Sequence, residues 1–386
     1  MRKRKPKRRV SESRKKNNTG IDVSKFINQG RETVKPKPYQ NTHAFEDFNI
    51  APTLLKLIQK KGYKLPSEIQ DKAIPHILDS KDIIGVAGTG TGKTAAFLIP
   101  LIQNLIQNKR ENYALIIAPT RELANQINDE FRSLTYGMGF FSTCLIGGSS
   151  VRESLRNLKR KNHVIIGTPG RLQDMSNQRA LDYSKFKVLV LDEFDRMLDM
   201  GFSKEVQRIN DDMRNKEQTL LFSATLDKSQ QKLINEINPN PIIIKSERST
   251  QNSDAIDQKV IRANGQDKFL LLRDVLPEPK GPKTILFCET KRHADKLVKK
   301  LQIEEFMADA IHGDKSQRQR ESTLNRFKKG HINILVATDV VARGIDVSDV
   351  ELVINYQAPR NHADYVHRIG RTGRAGKMGR AITLID

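Results

Sequence analysis

The sequence predicts two α/β domains in tandem, each a mostly parallel sheet with helices on both faces. Three observations carry this. Short β-rich apolar runs alternate with amphipathic stretches from Phe45 onward, as strand–helix–strand units require. One run leads directly into a glycine-rich loop ending in lysine and then into a helix, the arrangement of a phosphate site on a parallel sheet. A polar, turn-rich stretch, SERSTQNSDAIDQ at 246–258, separates two series of runs. Three segments follow: a basic arm over 1–43, a first domain over 44–246 and a second over 247–386.

In the first domain the predicted strands are Ile83–Ala87, Ala114–Ala118, His163–Gly167, Val188–Leu191 and Thr219–Ser223. In the second they are Thr284–Cys288, Ile332–Ala337 and Leu352–Tyr356. Helices are expected between them. Phe97, Leu98, Leu101, Ile102, Leu105 and Ile106 recur at three-to-four spacing on one helical face. PEPKGP at 277–282 reads as a turn inside the second domain, ahead of a buried strand.

Composition narrows the function classes. The 386 residues are 37% hydrophobic and 29% charged, enough to bury a core in each half. No apolar run approaches the roughly 18 residues that would span a bilayer, and the N-terminus lacks the apolar stretch of a secretory signal. Cys144 and Cys288 are far apart, which argues against a metal site or disulfide framework and fits a reducing, cytoplasmic compartment. The net charge of +22 points to a polyanionic partner, most often nucleic acid. Residues 1–20 carry ten Lys and Arg against the single acid Glu12. Such a segment cannot bury itself, so it reads as a disordered electrostatic arm that binds nucleic acid without reading its sequence. Residues 21–42, with Pro36 and Pro38, continue it as an extended linker.

The chemistry concentrates at three places. Ala87-Gly88-Thr89-Gly90-Thr91-Gly92-Lys93-Thr94 follows the first strand. Glycines let backbone N–H groups approach phosphate oxygens and the helix N-terminus adds positive partial charge. Lys93 is expected at the β- and γ-phosphates and Thr94 on Mg²⁺. Asp192 and Glu193 end the run Val188–Leu191, where Asp192 would hold Mg²⁺ and Glu193 would orient or deprotonate an attacking water. Near the end, His367-Arg-Ile-Gly-Arg-Thr-Gly-Arg374 spaces three arginines with glycines. Such cations are costly to bury without anions, so Arg371 and Arg374 read as arginine fingers aimed at the γ-phosphate from the second domain. Hydrolysis would then require the domains to close.

With these motifs in order, Phe45 to Asp386 resembles the DEAD-box RNA helicases, and the resemblance implies two RecA-like domains. The name-giving tetrapeptide reads Asp192-Glu-Phe-Asp195, with Phe194 in place of alanine. Phe194 is expected to pack beneath the catalytic strand end. Gly62-Tyr-Lys-Leu-Pro-Ser-Glu-Ile-Gln70 resembles the family's adenine-reading motif, with Phe45 as the isolated upstream aromatic and Tyr63 where phenylalanine is usual. Gln70 offers the donor and acceptor that an adenine edge needs, so the resemblance implies ATP. Ser223-Ala-Thr225 matches the motif coupling hydrolysis to strand separation, its hydroxyls expected on Asp195 and His367. Family precedent places Asp346 on the ribose. Gly88 stands where glutamine is frequent, which loosens the loop.

The same resemblance implies RNA contacts at Arg121, Gly148, Thr168 and Arg171 in the first domain, and at Arg320 and Thr338 in the second. Contacts of this kind are polar and directed at backbone, so binding should be independent of sequence and prefer single strands. Contacts with 2′-hydroxyls would select RNA. The expected enzyme is a monomer that hydrolyses ATP with Mg²⁺ to unwind RNA locally, on ribosomal or other ribonucleoprotein particles, with no membrane partner. Family members usually continue through a further helix beyond Asp386, so either the second domain lacks its final element or the chain is naturally minimal. Two other readings are a DNA translocase, which the adenine motif and the Ser-Ala-Thr motif oppose, and a non-catalytic RNA clamp, which Lys93, Glu193 and Arg374 oppose.

Overall fold

The computed structural model describes residues 39–386 apart from 89, 109–110, 112, 227–229, 247–255, 280, 340–346, 348–349, 360–361 and 374–377. The basic arm, and Thr89, Asp346 and Arg374 among the expected site residues, lie outside the described residues. Within them stand two parallel sheets. The first contains β1 (Ile83–Val86), β2 (Ala114–Ile117), β3 (Ser142–Leu145), β4 (Val164–Gly167), β5 (Val188–Leu191), β6 (Gln218–Ser223) and β7 (Ile242–Lys245). Their order is β3-β4-β2-β5-β6-β1-β7. The second contains β8 (Ile256–Arg262), β9 (Thr284–Cys288), β10 (Ala308–Ile311), β11 (Ile334–Thr338), β12 (Leu352–Asn355) and β13 (Gly379–Ile385), ordered β10-β11-β9-β12-β13-β8.

The inner strands β2, β4, β5, β9, β11 and β12 are buried along their whole length. Helices cover both faces of each sheet, so these strands must be apolar on both sides, which is why they read as continuous runs and not as alternating ones. One face of the first sheet packs Phe97, Ile102, Ile127, Phe131 and Phe222. The other packs Leu115, Leu172, Leu189, Phe194, Met197 and Ile209. Phe194 is fully enclosed there, beneath the end of β5, as its size demands.

Parallel strands bring every carboxyl end to one edge, where ligand sites of such sheets are built. The strand order divides that edge of the first sheet. β5, β6 and β1 are neighbours, and from them leave Asp192-Glu193, Ser-Ala-Thr and the phosphate loop. β2, β4 and β3 are the other neighbours, and from them leave Arg121, Thr168 and Gly147-Gly148.

Candidate nucleotide and nucleic-acid site

The loop after β1 turns tightly because Gly90 and Gly92 take positive φ angles of 78° and 92°. A Cβ on Gly92 would run into the Gln70 amide. Gln70 donates from Nε2 to the Gly92 carbonyl at 3.0 Å, and its Oε1 accepts from the Ser67 N–H at 2.9 Å. The segment 62–70 and the phosphate loop are thereby one unit. Lys93 opens the helix Lys93–Asn108 and donates to the Ala87 carbonyl at 2.7 Å. Thr91 closes the loop with a 2.8 Å bond to the Gly88 carbonyl, and Thr94 stays partly open to solvent.

Phe45 packs within the same segment. It is only 1% exposed, enclosed by Phe48 and Tyr63 at centroid separations of 6.2 and 6.3 Å. It thereby braces Tyr63. The Tyr63 hydroxyl donates to Glu130 at 3.1 Å, a tie that phenylalanine could not make.

At the end of β5, Glu193 sits at φ +51°, a left-handed conformation that costs a non-glycine residue roughly 1–3 kcal/mol. Its carboxylate accepts from buried Arg196 at 3.1 Å, one helical turn on. Burial pushes the neighbouring Asp192 carboxyl up to about 7, with Lys93 opposing and Glu193 and Asp195 adding to the rise. Burial acts on Glu193 as well, but Arg196, Arg371, Lys93 and His367 outweigh it and hold that carboxyl at about 2. Two adjacent acids are thus driven apart, and Glu193 is ionised at every physiological pH.

Asp195 is the junction. Its Oδ2 accepts from the Thr225 N–H and the Thr225 hydroxyl, both at 3.0 Å, and from the Ala224 N–H at 3.2 Å. The Ser223 hydroxyl accepts from the Asp195 N–H at 3.2 Å and donates to the Thr225 carbonyl. His367 of the second lobe approaches the same Oδ2 at 3.8 Å. Lys93, Glu193 and Asp195 from one lobe and His367 and Arg371 from the other line a single narrow gap of about 10 Å³, the room one water molecule needs.

The second-lobe helix His362–Ile369 is anchored by a residue the sequence reading passed over. Arg368 binds Asp339 through both oxygens at 2.6 and 2.7 Å, donates to Asn355 and to the Gln357 carbonyl, and lies 5.1 Å over the Phe287 ring. Planar bidentate pairing of this kind fixes orientation as well as charge, so the ends of β11 and β12 are tied to the helix that leads into Arg371. The only signal in the sequence was that Arg368 lies between His367 and Arg371.

On the other half of the carboxyl edge, Arg121 lies flat on Gly147 and Gly148. A Cβ at Gly147 would come within 2.9 Å of its guanidinium, and one at Gly148 closer still. Arg171 donates to the Ser154 hydroxyl and the Ser149 carbonyl, both at 3.1 Å. Thr168 precedes the helix Pro169–Asn177, and Thr338 is buried at the end of β11. Arg320 reaches across the lobes to Glu122 at 2.6 Å, both groups buried, with Asn125 to Glu321 at 3.4 Å beside it. The acidic partners were missed because nothing in local spacing links positions nearly 200 residues apart.

The DEAD/DEAH box helicase family matches residues 67–233, and the helicase conserved C-terminal domain matches residues 267–376. The chain is 42% identical over 347 residues to the ATP-dependent rRNA helicase RRP3 of Meyerozyma guilliermondii, covering 90% of this chain and 73% of the relative. It is 41% identical to the ATP-dependent RNA helicase CshA of Listeria monocytogenes, covering 89% of this chain and 66% of that one. Among solved structures, S. cerevisiae Dbp5 bound to RNA and ADP BeF3 superposes with a TM-score of 0.80 at 32% identity, covering 89% of each chain. A phosphate loop facing basic residues of a second lobe defines a two-lobed nucleoside-triphosphate hydrolase. The chain belongs to the DEAD-box family and is an ATP-dependent RNA helicase, with two RecA-like lobes that use ATP to remodel RNA. Among the described residues no helix is long and apolar enough to cross a membrane.

Proposed function

We propose that ATP is hydrolysed in the gap between the lobes and that closing this gap forms the RNA clamp. The observation that carries the reading is the shared lining: Lys93 and Glu193 from one lobe and His367 and Arg371 from the other face the same space. Gln70 and Tyr63 hold the base, the loop from Ala87 to Thr94 holds the phosphates, and Asp346 holds the ribose. Lys93 leaves the Ala87 carbonyl for the β- and γ-phosphates, a better acceptor for a buried ammonium. Glu193 orients or deprotonates the attacking water. Arg371 and Arg374 meet the charge that develops on the γ-phosphate.

Thr94 and Asp192 supply hard oxygens of the kind Mg²⁺ takes. Among the described residues no group of three His, Cys, Asp or Glu could hold a metal unaided, so the ion would arrive with the phosphates. When bound, it would neutralise phosphate charge. Asp195 links the events: it holds Thr225 and faces His367, so phosphate release on one side loosens the lobe contact on the other.

RNA would run along the edge formed by Arg121, Gly148, Thr168 and Arg171, with Thr338 opposite. Arg320, already paired with Glu122, would secure the clamp behind it. The similarity to ATP-dependent rRNA helicases favours ribosomal RNA as substrate. We assign the chain to the cytoplasm and to action as a monomer.

The test is paired. Lys93→Ala should weaken nucleotide binding, whereas Glu193→Gln should keep binding, lower turnover at least a hundredfold and trap a closed RNA complex. Wild-type turnover by Glu193→Gln would refute the assignment of the water-orienting group.

A further inference from the structure

We propose that the outer edge of the first lobe carries an accessory track for single-stranded RNA leaving the clamp. The track is built by the helix Val151–Leu158 and the ring of Phe141. This rests on the placement of the clamp at Gly148 and Arg171.

The helix starts from Ser150, two residues after Gly148, and its Ser154 accepts from Arg171. It then runs back along the edge strand β3 towards β4. Leu155 and Leu158 pack inward against the core, and the outer face carries Arg152, Arg156 and Arg160 at four-residue intervals, with Lys159 and Lys161 beside them. All five cations are exposed. Lys161 lies 3.6 Å from Glu111; no ion pair is recorded for the other four among the described residues, and Glu153 is the one acid in the stretch.

This pattern works against the helix. Like charges at i,i+4 cost an isolated helix roughly 0.2–0.5 kcal/mol per pair; Arg152–Arg156 is such a pair, and Lys159, Arg160 and Lys161 add further positive charge just past the helix end. Cations near a helix C-terminus are ordinarily favoured, which accounts for Lys159 and Arg160 but not for Arg152 in the first turn. A row of phosphates along the face turns this repulsion into attraction. Arg152 and Arg156 stand about 6 Å apart along the helix axis, comparable to the separation of neighbouring phosphates in an extended strand.

The row leads to an aromatic. Phe141 stands at the entry to β3, is 53% exposed and stacks one face on His163 at 6.0 Å. His163 follows Lys161 by two residues, so the open face of Phe141 lies beside the end of the basic row. A basic row ending on an exposed ring is how proteins hold single strands without reading sequence.

The experiment measures RNA affinity with a non-hydrolysable ATP analogue, using the shortest oligouridylate that saturates the clamp. The same RNA is then extended at either end by a single-stranded tail or by a hairpin. Replacing Arg152, Arg156 and Arg160 together by Gln should leave short-RNA affinity within twofold. It should remove about tenfold of the gain given by the tail and reduce the salt slope by about two, the value for three lost phosphate contacts on a single strand. Phe141→Ala should reduce the gain from a tail but not from a hairpin. An unchanged tail effect would overturn the track, as would equal weakening of the short RNA. A loss confined to the hairpin would overturn the single-strand assignment. An Arg171→Ala protein that holds the short RNA like wild type would instead refute the placement of the clamp.

Discussion

Glu193 shows how much a single residue is asked to do. Its backbone is strained, its carboxylate is surrounded by Arg196, Arg371, Lys93 and His367, and the neighbouring acid Asp192 is pushed in the opposite direction. The pair was legible as acids after a strand, but the strain and the fixing Arg196 were not, because a φ angle and a guanidinium's direction have no local signature. Asp71 is a second case. It is buried, which should raise its pKa, yet the Thr42 N–H, the His43 ring and the Tyr39 hydroxyl hold it below its ordinary value of 3.8. They also tie the entering chain to the helix bearing Gln70. A folded pKa below the unfolded one stabilises above the unfolded value and is lost as pH falls through the folded one. Asp71→Asn should therefore lower Tm at pH 7, and its deficit against wild type should shrink below about pH 4. A deficit independent of pH would mean that the carboxylate's charge does not matter.

At the level of elements, the inner strands were readable and most of the outer ones were not. β2, β5, β9 and β12 are covered on both faces and stand out as apolar runs. β3, β8 and β10 lie at sheet edges, where polar residues are tolerated, and Ser142–Leu145, Ile256–Arg262 and Ala308–Ile311 carry no such run. β8 begins inside the stretch read as a polar boundary. β7 is apolar but abuts that boundary, and β13 closely follows the glycine-spaced arginine segment, whose composition is that of a loop. The turn after β3 was legible as a glycine pair, but its reason was not: Arg121 occupies the space a Cβ would need. Gly148→Ala should thus lower RNA affinity roughly as much as Arg121→Ala, and the two should not add, because both remove one contact. Additive losses in a double-mutant binding cycle would separate Gly148 from Arg121.

For the whole molecule, the motifs were legible one lobe at a time and their meeting was not. Glu122–Arg320, Asn125–Glu321 and Asp195–His367 join lobes whose sequences share no visible repeat. If Glu122–Arg320 is a latch, breaking it strands a buried charge, a loss of about 3–5 kcal/mol in the closed state. Glu122→Gln should raise the RNA concentration needed for half-maximal ATP turnover more than tenfold. Glu122→Gln combined with Arg320→Gln should be no worse than either alone. A double variant far worse than both singles would mean that the two residues act independently. The central claim is that the second lobe completes the hydrolytic site of the first. Single-turnover ATP hydrolysis by Arg371→Ala, with RNA saturating, tests it most directly. The account predicts a fall of about 10³-fold or more with nucleotide affinity little changed, the size of effect that arginine fingers produce elsewhere. Hydrolysis at the wild-type rate would contradict it.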